Sequence, residues 1–201
     1  MNSSKGVRGT GRAPGTLRII GGDYRRRLIR VPASPGLRPT PDRVRETLFN
    51  WLGQDLGGLA CLDLYAGSGA LGFEAASRGA ARVVMVERDR AVVAQLERSR
   101  AALDAAQVVI VAGDAAAYLA RERERFDMVF LDPPFRQNAV PAILGGVAAR
   151  LKPDARVYVE SDAPVEAPLP WSELKRGKAG QVSYQLLQWG GHDQSGVSGN
   201  V

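Results

Sequence analysis

The sequence is poor in the residues that build metal centres and disulfide bonds. Its 201 residues include one cysteine, Cys61, and one histidine, His192, so neither an internal disulfide nor a zinc site is expected. A histidine general base is not expected either, since His192 lies in a Gly/Ser-rich tail. No apolar run reaches the roughly 20 residues of a membrane span, and residues 1–15 lack the apolar centre of a secretory signal. These absences predict a cytoplasmic protein that uses neither metal nor membrane.

Positive charge is concentrated at one end of the chain. Residues 1–50 contain 11 Lys and Arg against 3 acids, a balance of +8, while the remainder has 16 against 18 and a balance of −2. Because the guanidinium fork matches phosphate oxygens, this pattern favours a polyanionic partner. RNA or DNA comes first, and an anionic membrane is a weaker alternative because no amphipathic anchor is present. A solvated, solubilising face is the plainer alternative.

The remaining patterns predict one α/β domain with small extensions. We expect a basic tail over residues 1–16, an extension over 17–52 made of a hairpin (Leu17–Ile20 and Tyr24–Val31) and a helix (Asp42–Leu52), a main domain over 53–190 and a loose tail over 191–201. Alternating apolar runs and helical segments then predict a mostly parallel sheet with a closing antiparallel pair. The predicted strands are Cys61–Tyr65, Arg82–Glu87, Gln107–Val111, Asp127–Leu131, Ala155–Glu160, Trp171–Lys175 and Val182–Trp189. The predicted helices are Leu71–Arg78, Arg90–Ala105, Ala115–Arg123 and Ala139–Leu151, the last ended by Lys152-Pro153.

A glycine-rich loop follows the first strand of this domain. Gly67-x-Gly69-x-x-Gly72 fits a dinucleotide fingerprint as well as an S-adenosylmethionine loop, and Glu87 is placed to accept ribose hydroxyls in either case. The carboxylate of Asp63 beside the loop would repel a pyrophosphate and favour an ammonium and a sulfonium. Asp114 follows the third strand, where it could accept a hydrogen bond from an adenine amino group. S-adenosylmethionine is therefore preferred over NAD, and a loop that only serves packing is the structural alternative.

The tetrapeptide Asp132-Pro133-Pro134-Phe135 ends an apolar strand at the carboxyl edge of the sheet. An exocyclic amine on a base is a poor nucleophile, so a site must hold both N–H bonds. Asp132 and the carbonyl of Pro133 are acceptors for them, Pro134 fixes the turn, and Phe135 offers a face on which a base could stack. The alternative is a double proline that only breaks the strand.

The chain resembles the RsmD family of bacterial small-subunit ribosomal RNA guanine-N2 methyltransferases from about Leu17 to Trp189. The resemblance rests on residues 18–22, 37–50, 63–72 and 126–135, of which the second stretch separates this family from DNA amino-methyltransferases with the same tetrapeptide. Asp132 and Phe135 stand where related amino-methyltransferases often carry Asn and Tyr. The resemblance implies a Rossmann-like class I fold with a seven-stranded sheet, S-adenosylmethionine as cofactor, and a monomer acting on 16S rRNA or the small subunit.

Three sets of site residues follow from the patterns and the resemblance together. The catalytic set is Asp132, Pro133, Pro134 and Phe135. The donor-binding set is Asp63, Ala66, Gly67, Ser68, Gly69, Glu87, Arg88, Asp114 and Ala115. The RNA-binding set is Arg18, Arg25, Arg26, Arg27, Arg38, Thr40 and Arg43, with Arg38, Thr40 and Arg43 nearest the target base. An inactive RNA-binding or assembly protein, a methyltransferase for another base and a nicotinamide oxidoreductase are the competing hypotheses.

Overall fold

The computed structural model describes residues 15–32, 34, 40–134, 140–166 and 170–190. Its centre is a seven-stranded sheet with the order β5-β4-β3-β6-β7-β9-β8. The strands are β3 (Ala60–Asp63), β4 (Arg82–Glu87), β5 (Val108–Ala112), β6 (Phe126–Leu131), β7 (Leu151–Ser161), β8 (Trp171–Ala179) and β9 (Val182–Trp189). The first five run parallel, and β9 is antiparallel to β7 and β8. The predicted sheet and its antiparallel C-terminal strand are confirmed.

Helices cover both faces of this sheet. They are α1 (Asp42–Leu52), α2 (Ala70–Ser77), α3 (Arg90–Leu103), α4 (Ala115–Arg121) and α5 (Val140–Ala148). One apolar cluster joins α1, α2 and α3 to residues such as Phe130 and Tyr158, and a second joins α4 and α5 to residues such as Leu131 and Val159. Since neighbouring strand residues point to opposite faces, the near-continuous apolar strands are explained by burial on both sides.

Helix α1 has the bounds that the sequence predicts. Val44, Leu48, Phe49 and Leu52 form its buried face, and Gly53 ends it in the left-handed conformation with φ 92°. Trp51 of α1 has its ring centroid 5.4 Å from that of Tyr184. Helix α1 therefore packs on the same face of the sheet as α2 and α3.

The N-terminal hairpin differs from its prediction. Its strands are β1 (Gly15–Arg18) and β2 (Leu28–Val31), so Gly15 and Thr16 pair with Val31 and Arg30 instead of belonging to the tail. The predicted strand over Tyr24–Arg27 is wrong. These residues form a turn because the Tyr24 amide donates to Oγ of Ser77 at 2.9 Å and Arg26 adopts a φ of 71°. The rest of the predicted tails, 1–14 and 191–201, lies outside the described residues.

The junction between α5 and β7 also differs. Lys152-Pro153, predicted to end a helix at Leu151, lies inside β7, which begins at Leu151. Lys152 places its Nζ atom 2.7 Å from Oδ2 of Asp127, so an ion pair joins the start of β7 to β6. Strand β8 continues past its predicted end at Lys175 to Ala179, and the turn into β9 lies at Gly180. Within the described part of the chain, no helix is both long and apolar enough to cross a membrane.

A buried carboxylate attaches the hairpin and α1 to the main domain. Glu74 of α2 is fully buried and accepts five hydrogen bonds: from the amides of Ile20 (3.0 Å) and Gly21 (2.8 Å), from Arg45 (3.1 Å) and two from Arg78 (2.8 and 3.1 Å). Arg45, whose side chain is also fully buried, donates further to the carbonyls of Arg18 and Thr40. Glu74 and Arg45 therefore hold three chain segments together.

Removing this carboxylate should destabilise the protein strongly. We expect Glu74→Ala to lower the free energy of unfolding by about 3–5 kcal/mol, because the buried guanidinium groups of Arg45 and Arg78 lose the buried carboxylate that both contact. Urea unfolding at neutral pH measures the change. Glu97→Ala is the matched control: it removes a carboxylate in a half-exposed pair with Arg100 at 2.9 Å, which should cost less than about 1 kcal/mol. Equal losses in the two variants would contradict the anchoring role of Glu74.

Candidate active site

The candidate site lies where the carboxyl ends of the parallel strands meet. Strand β3 is flanked by β4 on one side and β6 on the other, so the chain direction across the sheet reverses between β3 and β6. In open α/β sheets such a switch point leaves a crevice that binds ligands. Asp63 ends β3, Glu87 ends β4, and Asp132 follows β6 directly. The structure therefore brings these predicted site residues to one edge.

The loop between β3 and α2 is shaped by its glycines. Gly67 and Gly69 have φ angles of 50° and 81°, in the left-handed region that glycine adopts without strain. A Cβ atom on Gly69 would lie 2.6 Å from the ring of Phe73. The neighbouring Ala66 and Ser68 are buried. This loop can therefore turn tightly and bring its backbone close to a ligand.

Glu87 fixes this loop as well as facing the crevice. Its carboxylate accepts hydrogen bonds from the amide of Gly67 at 3.0 Å and from the amide of Asp89 at 2.8 Å. A carboxylate has about four acceptor positions, so these two bonds leave capacity for hydroxyl groups of a ligand. The following residue, Arg88, is exposed.

Asp63 is buried directly beneath the loop. Oδ2 accepts a hydrogen bond from the amide of Gly72 at 3.1 Å. Burial raises the pKa of the Asp63 carboxyl from 3.8 to about 7, against the lowering effect of hydrogen bonds from the Gly72 and Tyr65 backbone. The carboxylates of Glu87 and Glu160 raise this pKa further. A cationic ligand in the crevice would favour the ionised form.

Asp114 begins α4. Its Oδ1 atom accepts hydrogen bonds from the amides of Ala116 (3.0 Å) and Ala117 (3.1 Å), which makes it the N-cap of that helix. Ala115 is buried behind it. The role of Asp114 toward an adenine amino group stays a prediction, and the cap holds the residue in a defined position at the end of β5.

The first three residues of the tetrapeptide follow β6 at the crevice. Asp132 is half-buried, Pro133 is buried and Pro134 is exposed, while Phe135 lies outside the described residues. Burial, and then the negative charges of Glu160 and Asp63, raise the pKa of Asp132 well above its usual range. A carboxyl group with this kind of perturbed pKa in a crevice is typical of a functional site.

Sequence reasoning missed Glu160. It lies at the end of β7, is buried, and its Oε1 atom accepts a hydrogen bond from the hydroxyl of Tyr158 at 2.8 Å. Burial raises the pKa of Glu160, and hydrogen bonds from the hydroxyls of Tyr158 and Thr40 lower it. The prediction of a strand that ends at Glu160 contained the signal, because such a residue shares an edge with Asp63, Glu87 and Asp132.

A pocket opens beside the tetrapeptide. It has a volume of about 220 Å³ and is lined mainly by apolar side chains from α5 and the segment after β7, together with Pro133, Pro134 and Glu160. Flat apolar walls with a few polar groups are typical of sites for planar ligands. Asp162, which is exposed, also lines this pocket.

The predicted RNA-binding residues fall into three groups. Arg18, Arg25, Arg26, Arg27 and Arg43 are exposed, as RNA contact requires. Arg27 donates to the carbonyl of Ala102 on α3, which attaches the hairpin turn to that helix. Thr40 is buried against Glu160, so its side chain faces the protein. Arg38 lies outside the described residues.

The comparisons with known proteins agree on one family. The family model described as Conserved hypothetical protein 95 matches residues 17–188. Ribosomal RNA small subunit methyltransferase D of Escherichia coli K12 is 46% identical over 87% of this chain and 90% of its own length. The enzyme of the same name from Haemophilus influenzae is 42% identical over 89% and 97%. A solved structure of a methyltransferase candidate from Escherichia coli superimposes with a TM-score of 0.81, at 42% identity over 88% of this chain and 99% of that chain. The predicted Rossmann-like methyltransferase fold is confirmed.

The raised pKa of Asp63 predicts a pH-dependent stability. Between pH 3.8 and about 7 the folded protein retains a proton that the unfolded chain has released, so the free energy of unfolding falls as pH rises through this window. We expect a fall of up to about 4 kcal/mol relative to Asp63→Asn. Urea unfolding from pH 4 to 7.5 at fixed ionic strength measures it. Asp154→Asn, at an exposed position, should keep the wild-type profile, and an identical profile for Asp63→Asn would refute the assignment.

Proposed function

Because this chain belongs to the RsmD family, the family described as Conserved hypothetical protein 95, we propose that it is an S-adenosylmethionine-dependent methyltransferase of 16S ribosomal RNA. We further propose that it methylates the exocyclic N2 amino group of a guanine. The observation that carries this proposal is the position of Asp132. It follows β6 next to β3, where Asp63 pairs with Phe130, so the tetrapeptide and the glycine loop border one crevice.

The chemistry of the crevice suits the methyl donor. Its side chains at the ends of β3 and β4 and after β5 are acceptors, namely Asp63, Glu87 and Asp114. S-adenosylmethionine offers the matching groups: an ammonium, a sulfonium, two ribose hydroxyls and an adenine amino group. We propose that Glu87 accepts from the ribose, Asp114 from the adenine, and the backbone of Gly67 and Gly69 borders the methionine part. When bound, the donor supplies an electrophilic methyl group.

Asp132 and Pro133 are proposed to hold the target amine in place. The lone pair of an exocyclic amine is delocalised into the ring, and acceptors on both N–H bonds keep the amine at a fixed position and orientation. Asp132 provides a carboxylate and Pro133 a carbonyl without a competing N–H. After transfer, the proton that leaves the nitrogen can pass to the carboxylate. Positioning and acceptor electrostatics are therefore the contributions of this chain to the rate.

The exposed arginines of the hairpin are proposed to bind the rRNA backbone. Arg18 lies on β1 and Arg25, Arg26 and Arg27 lie in the turn of the hairpin. Glu74 attaches this hairpin to α2, whose first residue follows the glycine loop. The finer expectations stay predictions: action as a monomer in the cytoplasm, and either naked rRNA, an assembling or a complete small subunit as the substrate.

Asp132→Ala is expected to slow methylation strongly. Loss of an acceptor on the target amine should lower the rate of methyl transfer about 100- to 1000-fold, as does loss of one oriented polar group in other active sites. Transfer of a radiolabelled methyl group to small-subunit rRNA lacking the modification measures this rate. Calorimetry with S-adenosylhomocysteine is the control and should give wild-type affinity.

Other outcomes of this experiment separate the competing functions. Undiminished transfer by Asp132→Ala would remove the assignment of that residue. Tight, salt-sensitive RNA binding by the wild type without any transfer would favour an inactive assembly protein. Preferential binding of NAD over S-adenosylhomocysteine would favour an oxidoreductase.

The hairpin arginines should determine the salt dependence of RNA binding. We expect the double variant Arg25→Ala/Arg26→Ala to lower the slope of log Kobs against log salt by about 0.7–0.9 for each phosphate that is no longer neutralised. Filter binding of 16S rRNA between 50 and 300 mM KCl gives the slope. Arg121→Ala/Arg123→Ala removes two exposed arginines at the end of α4 and should leave it unchanged. Equal slopes for both double variants would exclude the hairpin as the RNA-binding surface.

A further inference from the structure

Glu160 and Asp132 occupy equivalent positions on neighbouring strands. Leu131 of β6 is paired with Val159 of β7 in parallel register, and Asp132 and Glu160 are the next residues along each chain. Neighbouring strands lie about 4.8 Å apart. Because side chains alternate between the two faces, both carboxyl groups lie on the sheet face that carries Phe130 and Tyr158.

Glu160 is held in place and still faces the pocket. The hydroxyl of Tyr158 donates to its Oε1 atom at 2.8 Å, and the buried Thr40 lies close enough to lower the pKa of this carboxyl. Thr40 is itself fixed through its carbonyl, which accepts from Nε of Arg45 at 3.3 Å. The Tyr158 hydroxyl uses one of the roughly four acceptor positions of a carboxylate. The remainder is available to a ligand in the pocket that Glu160 lines together with Pro133.

The acceptors at the ends of β6 and β7 are the carboxylates of Asp132 and Glu160 and the carbonyl of Pro133. Of these residues, Pro133 and Glu160 line the pocket. Guanine is the base whose amino group adjoins a protonated ring nitrogen, so its N1–H and its amino group present donors side by side. In adenine and cytosine the ring nitrogen beside the amino group is itself an acceptor. An acceptor opposite it would be repelled and left without a partner, which is costly in a buried site.

We propose that Glu160 is a specificity-determining residue that accepts a hydrogen bond from N1–H of the target guanine. In this arrangement Asp132 and the carbonyl of Pro133 accept from the neighbouring amino group. The proposal rests on the proposed function and assigns its choice of base to one side chain. The proposal also gives a role to the buried Glu160 carboxylate, which is not needed to hold the amino group.

A base analogue isolates this contact. 2-Aminopurine keeps the amino group of guanine but lacks its 6-oxygen and has an unprotonated N1, so the comparison of Glu160 variants assigns the effect to N1. The target guanine is first mapped with the wild-type enzyme, and 16S rRNA carrying guanine or 2-aminopurine at that position is made by splinted ligation and reconstituted into small subunits. Single-turnover rates of methyl transfer are then measured for each base with the wild type, Glu160→Gln, Glu160→Asp and Asp162→Asn.

The wild type should prefer guanine over 2-aminopurine by at least about 100-fold, since sites built to bind a polar group reject analogues that lack it. Glu160→Gln, whose amide can donate to N1, should reduce this preference to below about 10-fold. Glu160→Asp should keep the preference at a lower rate. Asp162→Asn removes an exposed carboxylate of the same pocket and should leave it unchanged. Melting temperature and affinity for S-adenosylhomocysteine report whether each variant folds and binds the donor.

The possible failures are distinguishable. If the wild type methylates no guanine in the rRNA, the proposed function fails. If it methylates guanine and Glu160→Gln keeps the wild-type preference, only the assignment of Glu160 is overturned. An equal loss of preference in Asp162→Asn would attribute the effect to general negative charge. A Glu160→Asp variant that loses the preference for guanine as Glu160→Gln does would attribute the loss to side-chain length. Either of these two results would overturn the proposal.

Discussion

The burial of one carboxylate, that of Glu74, determines how the N-terminal extension sits on the sheet. A buried charge is tolerated when hydrogen bonds replace its lost hydration, and the five donors around Glu74 come from the hairpin, α1 and the residue that follows α2. Arg45 continues the connection to Thr40, and Thr40 to Glu160. A series of polar contacts therefore runs from the interior of α2 to the pocket beside the tetrapeptide.

Much of the architecture was predictable because its causes are local. The bounds of α1, β4 and β9 match their predictions, since amphipathic spacing and apolar runs follow from the sequence alone. The errors arise where a distant partner overrides a local preference. Tyr24–Arg27 turns because Ser77, more than fifty residues away, binds the Tyr24 amide. Lys152 and Pro153 lie in β7 because Asp127 of the neighbouring strand β6 forms an ion pair with the lysine.

The candidate site was also predictable where its residues form local sequence patterns. Acids at strand ends and glycines in a strand-to-helix loop are visible in one sequence, which is why Asp63, Glu87 and Asp132 were found. Glu160 was not found, because its importance depends on β7 lying next to β6, an arrangement that only the sheet order reveals. Burial raises the pKa values of Asp63 and Asp132, and the charge of Glu160 raises both further, at a cost to stability. Such a cost is common where a binding site needs a specific charge pattern.

Helix α2 begins directly after the glycine loop and ends at Ser77, which accepts the amide of Tyr24 in the hairpin turn. Its eight residues form a rod about 12 Å long. The helix thus sets a constant distance between the hairpin turn, which we propose to bind rRNA, and the glycine loop, where we propose that the methyl donor binds. The shape of the folded RNA over that distance, as well as the identity of the base, then determines which nucleotide reaches the pocket.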